Sequence, residues 1–133
     1  MIRLISRQMH GLLTDYPYVV VNLAAPYLFG FGDVPSAVLA TRIFAAIILF
    51  GSLLTRAEWG LFRVVPYKVH LVLDATLGLV VVASPWLFGF ADNTNAKLFA
   101  IAAGVFGIVA GTFSKTDEMP AGQIRAAEGS GRP

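Results

Sequence analysis

The chain has 133 residues, 56% of them hydrophobic and only 14% charged, with no cysteine and a formal net charge of +2. Soluble domains carry about 25% charged residues, so this chain has too few polar side chains to cover a water-facing exterior. Disulfides and cysteine metal sites are excluded, and the scattered Lys and Arg, not massed with stacking aromatics, exclude a nucleic-acid surface.

Residues 1–9 form an N-terminal segment in which Arg3 and Arg7 precede an apolar run ending Leu23-Ala24-Ala25. That order has the form of a signal peptide. Cleavage would leave Pro26 first, however, and the same segment recurs downstream, so the run is expected to be a retained membrane helix. It extends from near Asp15 to Phe31, long enough at 1.5 Å per residue to approach the roughly 30 Å of a hydrocarbon layer. Gly32-Asp33-Val34 is a short link with turn chemistry, and a second apolar helix is expected from about Pro35 to Thr55.

The connector from Arg56 to Tyr67 mixes Glu58 and Arg63 with Trp59, Leu61 and Phe62, a composition suited to the headgroup region. Pro66 suits the first turn of a third helix, which runs from near His70 to Phe90. Ala91-Asp92-Asn93-Thr94 is the next short link, and the fourth helix spans about Asn95 to Phe113. Residues 114–133 are rich in Gly, Ala, charge and Pro, with little to bury, and are expected to be disordered.

The two halves repeat. With an offset of 59 positions, Pro26 falls on Pro85, Asp15 on Asp74, Asp33 on Asp92, and Leu28-Phe29-Gly30-Phe31 on Leu87-Phe88-Gly89-Phe90. The fold class expected is therefore all-α, a bundle of four transmembrane helices built from two tandem parallel helical hairpins. Repeat 1 covers 10–58, an interfacial connector 59–68, repeat 2 covers 69–113, and a polar cytoplasmic tail 114–133. Arg3, Arg7, Arg56, Arg63, Lys68, Lys115, Arg125 and Arg132 all fall on one side, against Lys97 on the other. By the positive-inside rule both termini then face the cytoplasm.

Ionisable residues inside spans are functional candidates by default. Asp15 and Asp74 are equivalent, with His10 and His70 shortly before them. His70 and Asp74, four apart, share a helix face, whereas His10 and Asp15, five apart, align less well. A proton-handling pair in each half is one reading. The favoured one is structural: each aspartate lies near the membrane surface, caps amides and meets Arg56 or Lys115 from the partner helix. Arg42 is deeper and is expected to snorkel toward Asp33. Ala96, Ala100, Gly104, Gly107 and Gly111 form a small-residue stripe for close helix packing, within the bundle or between copies. Two histidines, no cysteine and no carboxylate cluster suggest no metal site, no cofactor and no catalytic constellation.

Ser84-Pro85-Trp86 ahead of Leu87-Phe88-Gly89-Phe90, and Ala25-Pro26-Tyr27 ahead of the same four letters, resemble the SPW-repeat family over about His10 to Lys115. The resemblance implies a small prokaryotic membrane protein with the Ser-Pro-Trp motif in the first of two membrane helices per repeat, and it carries no established activity. Each proline frees a backbone carbonyl, of Asn22 or Val81, which Asn22 or Ser84 can satisfy locally. Tyr27 and Trp86 are expected in an outer aromatic belt. The function expected is a structural or accessory role beside a membrane protein partner or a second copy in the lipid bilayer. The alternative is a solute or proton path at the repeat interface.

Overall fold

The computed structural model describes residues 3–124. Arg125 and Arg132, and the end of the tail expected to be disordered, lie outside the described residues, as do Met1 and Ile2. The described chain is all-helical. Helix α1 (Arg7–His10) passes through a π-helical turn (Gly11–Asp15) into α2 (Tyr16–Leu28), and α3 (Pro35–Leu54), α4 (Tyr67–Leu87) and α5 (Thr94–Phe113) follow. Among the described residues, α3, α4 and α5 are each long and apolar enough to cross a membrane.

The helices pair as two antiparallel hairpins, α2 with α3 and α4 with α5. At the loop end, the repeated Leu-Phe-Gly-Phe is explained by how a helix stops. Gly30 and Gly89 take positive φ values of 72° and 76°, a left-handed conformation that glycine adopts without a Cβ penalty. Phe31 then donates its N–H to the Pro26 carbonyl at 2.9 Å, and Phe90 to the Pro85 carbonyl at 2.8 Å. This is the six-to-one bond of a Schellman cap, with Phe31 and Phe90 buried beneath it. Both prolines therefore sit in the last turn of their helices, and the positive-φ glycines after them end those helices.

Satisfaction of the freed carbonyls differs between the hairpins. Ser84 Oγ donates to the Val81 carbonyl at 2.6 Å, as expected. Asn22 instead donates to the Tyr18 carbonyl at 2.9 Å, leaving its own Oδ1 without a partner. Tyr27 and Trp86 point outward, 70% and 61% exposed, in keeping with a belt at this end. Asn95 joins the two loops by donating to the Phe29 carbonyl at 2.9 Å.

The small-residue stripe lies within the second hairpin. A methyl group on Gly104 would fall 2.6 Å from the Gly78 carbonyl oxygen, and one on Gly111 would fall 2.6 Å from that of Leu71. Gly107 has slightly more room, 3.4 Å from Gly78 Cα. Small residues here let the α4 and α5 backbones touch. The core toward the loop end is built from Ala25, Ala37, Ala40, Phe44, Val81, Ala96 and Ala100 around Phe31 and Phe90. A second group, Val19, Ala45 and Ile48 with Tyr18 and Leu77 against it, fills the middle.

At the opposite end the chain closes over the helix termini. The irregular connector donates from Leu61 and Phe62 to the Leu53 carbonyl at 2.7 and 2.9 Å, and from Val64 and Val65 to the Leu54 carbonyl at 2.8 Å each. It thus satisfies carbonyls that the end of α3 leaves free. Residues 114–124 are mostly exposed, but the start of this segment is tethered to the rest of the chain, which its composition alone did not suggest. Lys115 donates to the Ile5 carbonyl at 2.7 Å, Met119 is buried, and Glu118 accepts from the Tyr67 and Lys68 amides at 2.9 Å each. A carboxylate at the start of α4 meets the free amides and the positive end of the helix dipole, which holds a polar segment lacking a core of its own.

Candidate functional site

Where α1, the π turn, α4 and the ends of α3 and α5 converge, four ionisable side chains are sealed from solvent. His10, Asp15, His70 and Asp74 are 1%, 6%, 4% and 6% exposed. Asp74 lies seven residues into α4, about 10 Å along its axis. On α4 the i, i+4 spacing of His70 and Asp74 puts both on one face. His10 and Asp15 are five apart, a spacing that rotates an α-helical pair apart. The π turn between them closes i to i+5 bonds, absorbs the extra residue and restores the shared face.

The four groups form an alternating ring. His10 Nε2 lies 2.7 Å from Asp74 Oδ2 and 3.0 Å from Asp15 Oδ1. His70 Nε2 lies 2.9 Å from Asp15 Oδ2 and 3.2 Å from Asp74 Oδ2. For each imidazole the shorter contact is to the aspartate of the other hairpin.

Behind each imidazole is a hydroxyl, and these two residues the sequence reading missed. His70 Nδ1 meets Thr55 Oγ1 at 2.8 Å, and His10 Nδ1 meets Ser114 Oγ at 2.6 Å. Thr55 Oγ1 donates to the Gly51 carbonyl at 2.6 Å and Ser114 Oγ to that of Ala110 at 2.5 Å. A hydroxyl that spends its proton on a carbonyl must accept from the imidazole, so Nδ1 carries hydrogen, and Nε2 carries a second one that it donates to the carboxylates. Thr55 and Ser114 are themselves 59 positions apart, and that offset was the available signal. Tyr67 completes the walls, edge-on to His10 at 5.9 Å and stacked on His70 at 6.2 Å between ring centroids.

This geometry corrects three expectations. Asp15 and Asp74 do not meet Arg56 or Lys115, and Asp15 caps no amide. Arg56 Nε donates to the Arg63 carbonyl at 3.2 Å. The two carboxylates do form a cluster, with both histidines, and one ligand atom from each of the four residues lies within 4.8 Å of the others. Arg42 reaches the Tyr27 hydroxyl at 3.4 Å and not Asp33, still running along the surface toward the loop end.

Outside the ring, Arg7 holds Glu58 through Nε at 3.0 Å and Nη2 at 2.7 Å and donates from Nη1 to the Asp117 carbonyl at 2.6 Å. Burial pushes the Glu58 carboxyl up, the Arg7 guanidinium pulls it down, and the net effect is a lowered pKa. Two small cavities flank the ring. One of about 20 Å³ is lined by Thr14, Asp15, Tyr18, Asp74 and Gly107, and one of about 10 Å³ by His10, Asp15, Ser52, Tyr67 and His70. A larger groove of about 260 Å³ opens between α3 and α4 and reaches Thr55, His70 and Asp74.

Membrane-length apolar helices around a sealed ionic centre define a small multi-pass membrane protein. The SPW repeat domain family matches residues 13–114, and the chain belongs to that family. No curated protein and no solved structure matches it.

Proposed function

We propose that the protein is a non-enzymatic, four-span component of the bacterial cytoplasmic membrane with a structural or accessory role, docking beside another membrane protein or a second copy. The fourth span is the continuous helix from Arg7 to Leu28, roughly 30 Å long at 1.5 Å per residue. Two tandem hairpin repeats, parallel in the membrane, account for the recurring caps, hydroxyls and aspartates. The N-terminus, the connector and the start of the tail share one end, where Ile5 bridges to Ser114, and the excess of Lys and Arg there supports a cytoplasmic assignment.

The observation that carries the accessory role is that the buried charged groups of the ring are spent on one another. The ring joins the hairpins, and beyond it Val19, Ala45, Ile48 and Leu77 fill the middle of the bundle. Apolar residues such as Val20, Leu23, Ile47, Val72, Leu79 and Val105 face outward, where lipid or a partner helix meets them. A second reading, a solute or proton path between the repeats, is favoured by the convergence of His10, Asp15, His70 and Asp74 at that seam. Reconstituted vesicles separate the two. The accessory role expects no flux from wild-type protein and co-purification of a defined partner or dimer in mild detergent. A flux that disappears in Asp74→Asn would establish the path instead.

A further inference from the structure

We propose that His10, Asp15, His70 and Asp74 bind one divalent first-row transition metal ion, with Zn²⁺ the best match, at the seam between the hairpins. The inference does not depend on the accessory role; it needs only the ring as the fold presents it.

The argument begins with ligand spacing. Four ligands at about 2.0 to 2.1 Å around a tetrahedral ion are separated by about 3.3 Å. The nitrogen to oxygen separations around the ring are 2.7, 3.0, 2.9 and 3.2 Å, with Asp15 offering Oδ1 to one imidazole and Oδ2 to the other, and one ligand atom from each residue lies within 4.8 Å of the others, so the donors already converge on one point and an ion would enter by opening the shorter edges. The donor set, two imidazole nitrogens and two carboxylate oxygens, suits zinc and its neighbours and discriminates against Ca²⁺ and Mg²⁺, which take all-oxygen shells. Charge also closes. Two carboxylates balance a divalent ion, so the occupied site with neutral imidazoles adds no net charge to the bundle interior.

The surroundings are those of a metal site. Metal-bound histidines usually hand their second N–H to a fixed acceptor, which sets the tautomer and aims the ligand nitrogen. Thr55 and Ser114 do this from equivalent places in the two hairpins, with their own protons committed to Gly51 and Ala110. A second observation is independent of the ring. Ser52 Oγ and the Tyr67 hydroxyl, in residues 5% and 1% exposed, have no hydrogen-bond partner and line the 10 Å³ cavity beside His10, Asp15 and His70. That cavity has room for about one water, which would give both hydroxyls a partner beside the ion without joining its four-ligand shell. The groove between α3 and α4, which His70 and Asp74 also line, supplies a way in.

The test uses the full-length protein in detergent, stripped with chelator and titrated with Co²⁺ alone, then with Zn²⁺ as competitor. The expected result is one ion per chain, the intense visible absorption of tetrahedral Co²⁺, and its loss as Zn²⁺ displaces it. Asp74→Asn and His70→Asn remove a ligand and should weaken binding on the order of 100-fold or more, while Glu58→Gln leaves it unchanged. Thr55→Val and Ser114→Ala remove no ligand and should weaken it roughly tenfold with the tetrahedral spectrum retained. Absence of stoichiometric binding, only the weak absorption of octahedral Co²⁺, or equal affinity in wild type and Asp74→Asn would overturn the site. Should the ligand variants fail to fold, the wild-type Co²⁺ spectrum and the hydroxyl variants decide it.

Discussion

Asp74 Oδ2 receives both imidazoles, at 2.7 and 3.2 Å, in a side chain only 6% exposed. Removing one member of such a set leaves its partners charged and unpaired, which costs about 3 to 5 kcal/mol, against about 0 to 1 kcal/mol for an exposed pair. Asp74→Asn in metal-free protein should therefore lower stability by about 3 kcal/mol, read from thermal melts in detergent, and coupling to His10→Gln in a double-mutant cycle should exceed about 1 kcal/mol. A loss of a few tenths, with no coupling, would put the aspartate back at the surface. Glu58 gives the opposite case. Its carboxyl is lowered in the folded protein, so its bond to Arg7 stabilises above the ordinary carboxylate range and is lost as pH falls through the lowered value. Since Glu58 is partly exposed, the effect should stay below about 1 kcal/mol. The melting difference between wild type and Glu58→Gln should be constant above about pH 6 and shrink below about pH 4. A difference that grows toward acid would contradict the sign.

Each helix carries its own rule, and the π turn between His10 and Asp15 is the least regular. It exists because one extra residue separates that pair relative to His70 and Asp74. Deleting the exposed Leu13 should convert the turn to α-helix, keep both side chains on one face and preserve the melting temperature within a few degrees. Deleting Leu73 from α4 rotates His70 away from Asp74 by about 100° and should abolish folding. Equal damage from both deletions would mean the π turn does not serve alignment. On the facing side of the bundle, Gly104→Leu should cost on the order of 3 kcal/mol, because the Gly78 carbonyl leaves no room for a side chain. An unchanged melt would release α5 from α4. The hairpins were legible in the sequence because bilayer thickness sets helix length and the Leu-Phe-Gly-Phe cap is local. The ring was not. Periodicity places His70 with Asp74 but aligns His10 less well with Asp15, because a spacing of five suits a π turn and not an α-helix, and it could not show that His10 meets Asp74 64 positions away. The tethering of the start of the tail was hidden likewise, because Glu118 is held by the amides of Tyr67 and Lys68, which precede it by some fifty residues.

At the scale of the whole molecule the natural absence of cysteine makes orientation directly measurable. Single substitutions Asp33→Cys and Asp92→Cys should react with an impermeant maleimide added to intact cells, whereas Ser6→Cys and Lys115→Cys should react only after permeabilisation. Labelling of Ser6→Cys from outside would invert the proposed topology, and opposite results at Asp33 and Asp92 would reduce the number of spans. The exchange of partners across the seam has a further consequence, for the order in which the protein is made. Synthesis proceeds from the N-terminus at about 5 to 20 residues per second. On the proposed four-span topology the first hairpin reaches the membrane with His10 and Asp15 in place while Asp74 and Ser114 have yet to emerge from the ribosome. For some seconds it holds half a lock. A nascent chain in that state will accept the matching half from whichever molecule offers it first, and the connector decides how often that molecule is its own. Lengthening the connector lowers the local concentration of the second half and should move part of the population into exchanged dimers, visible as a doubled mass with each ring assembled from two chains.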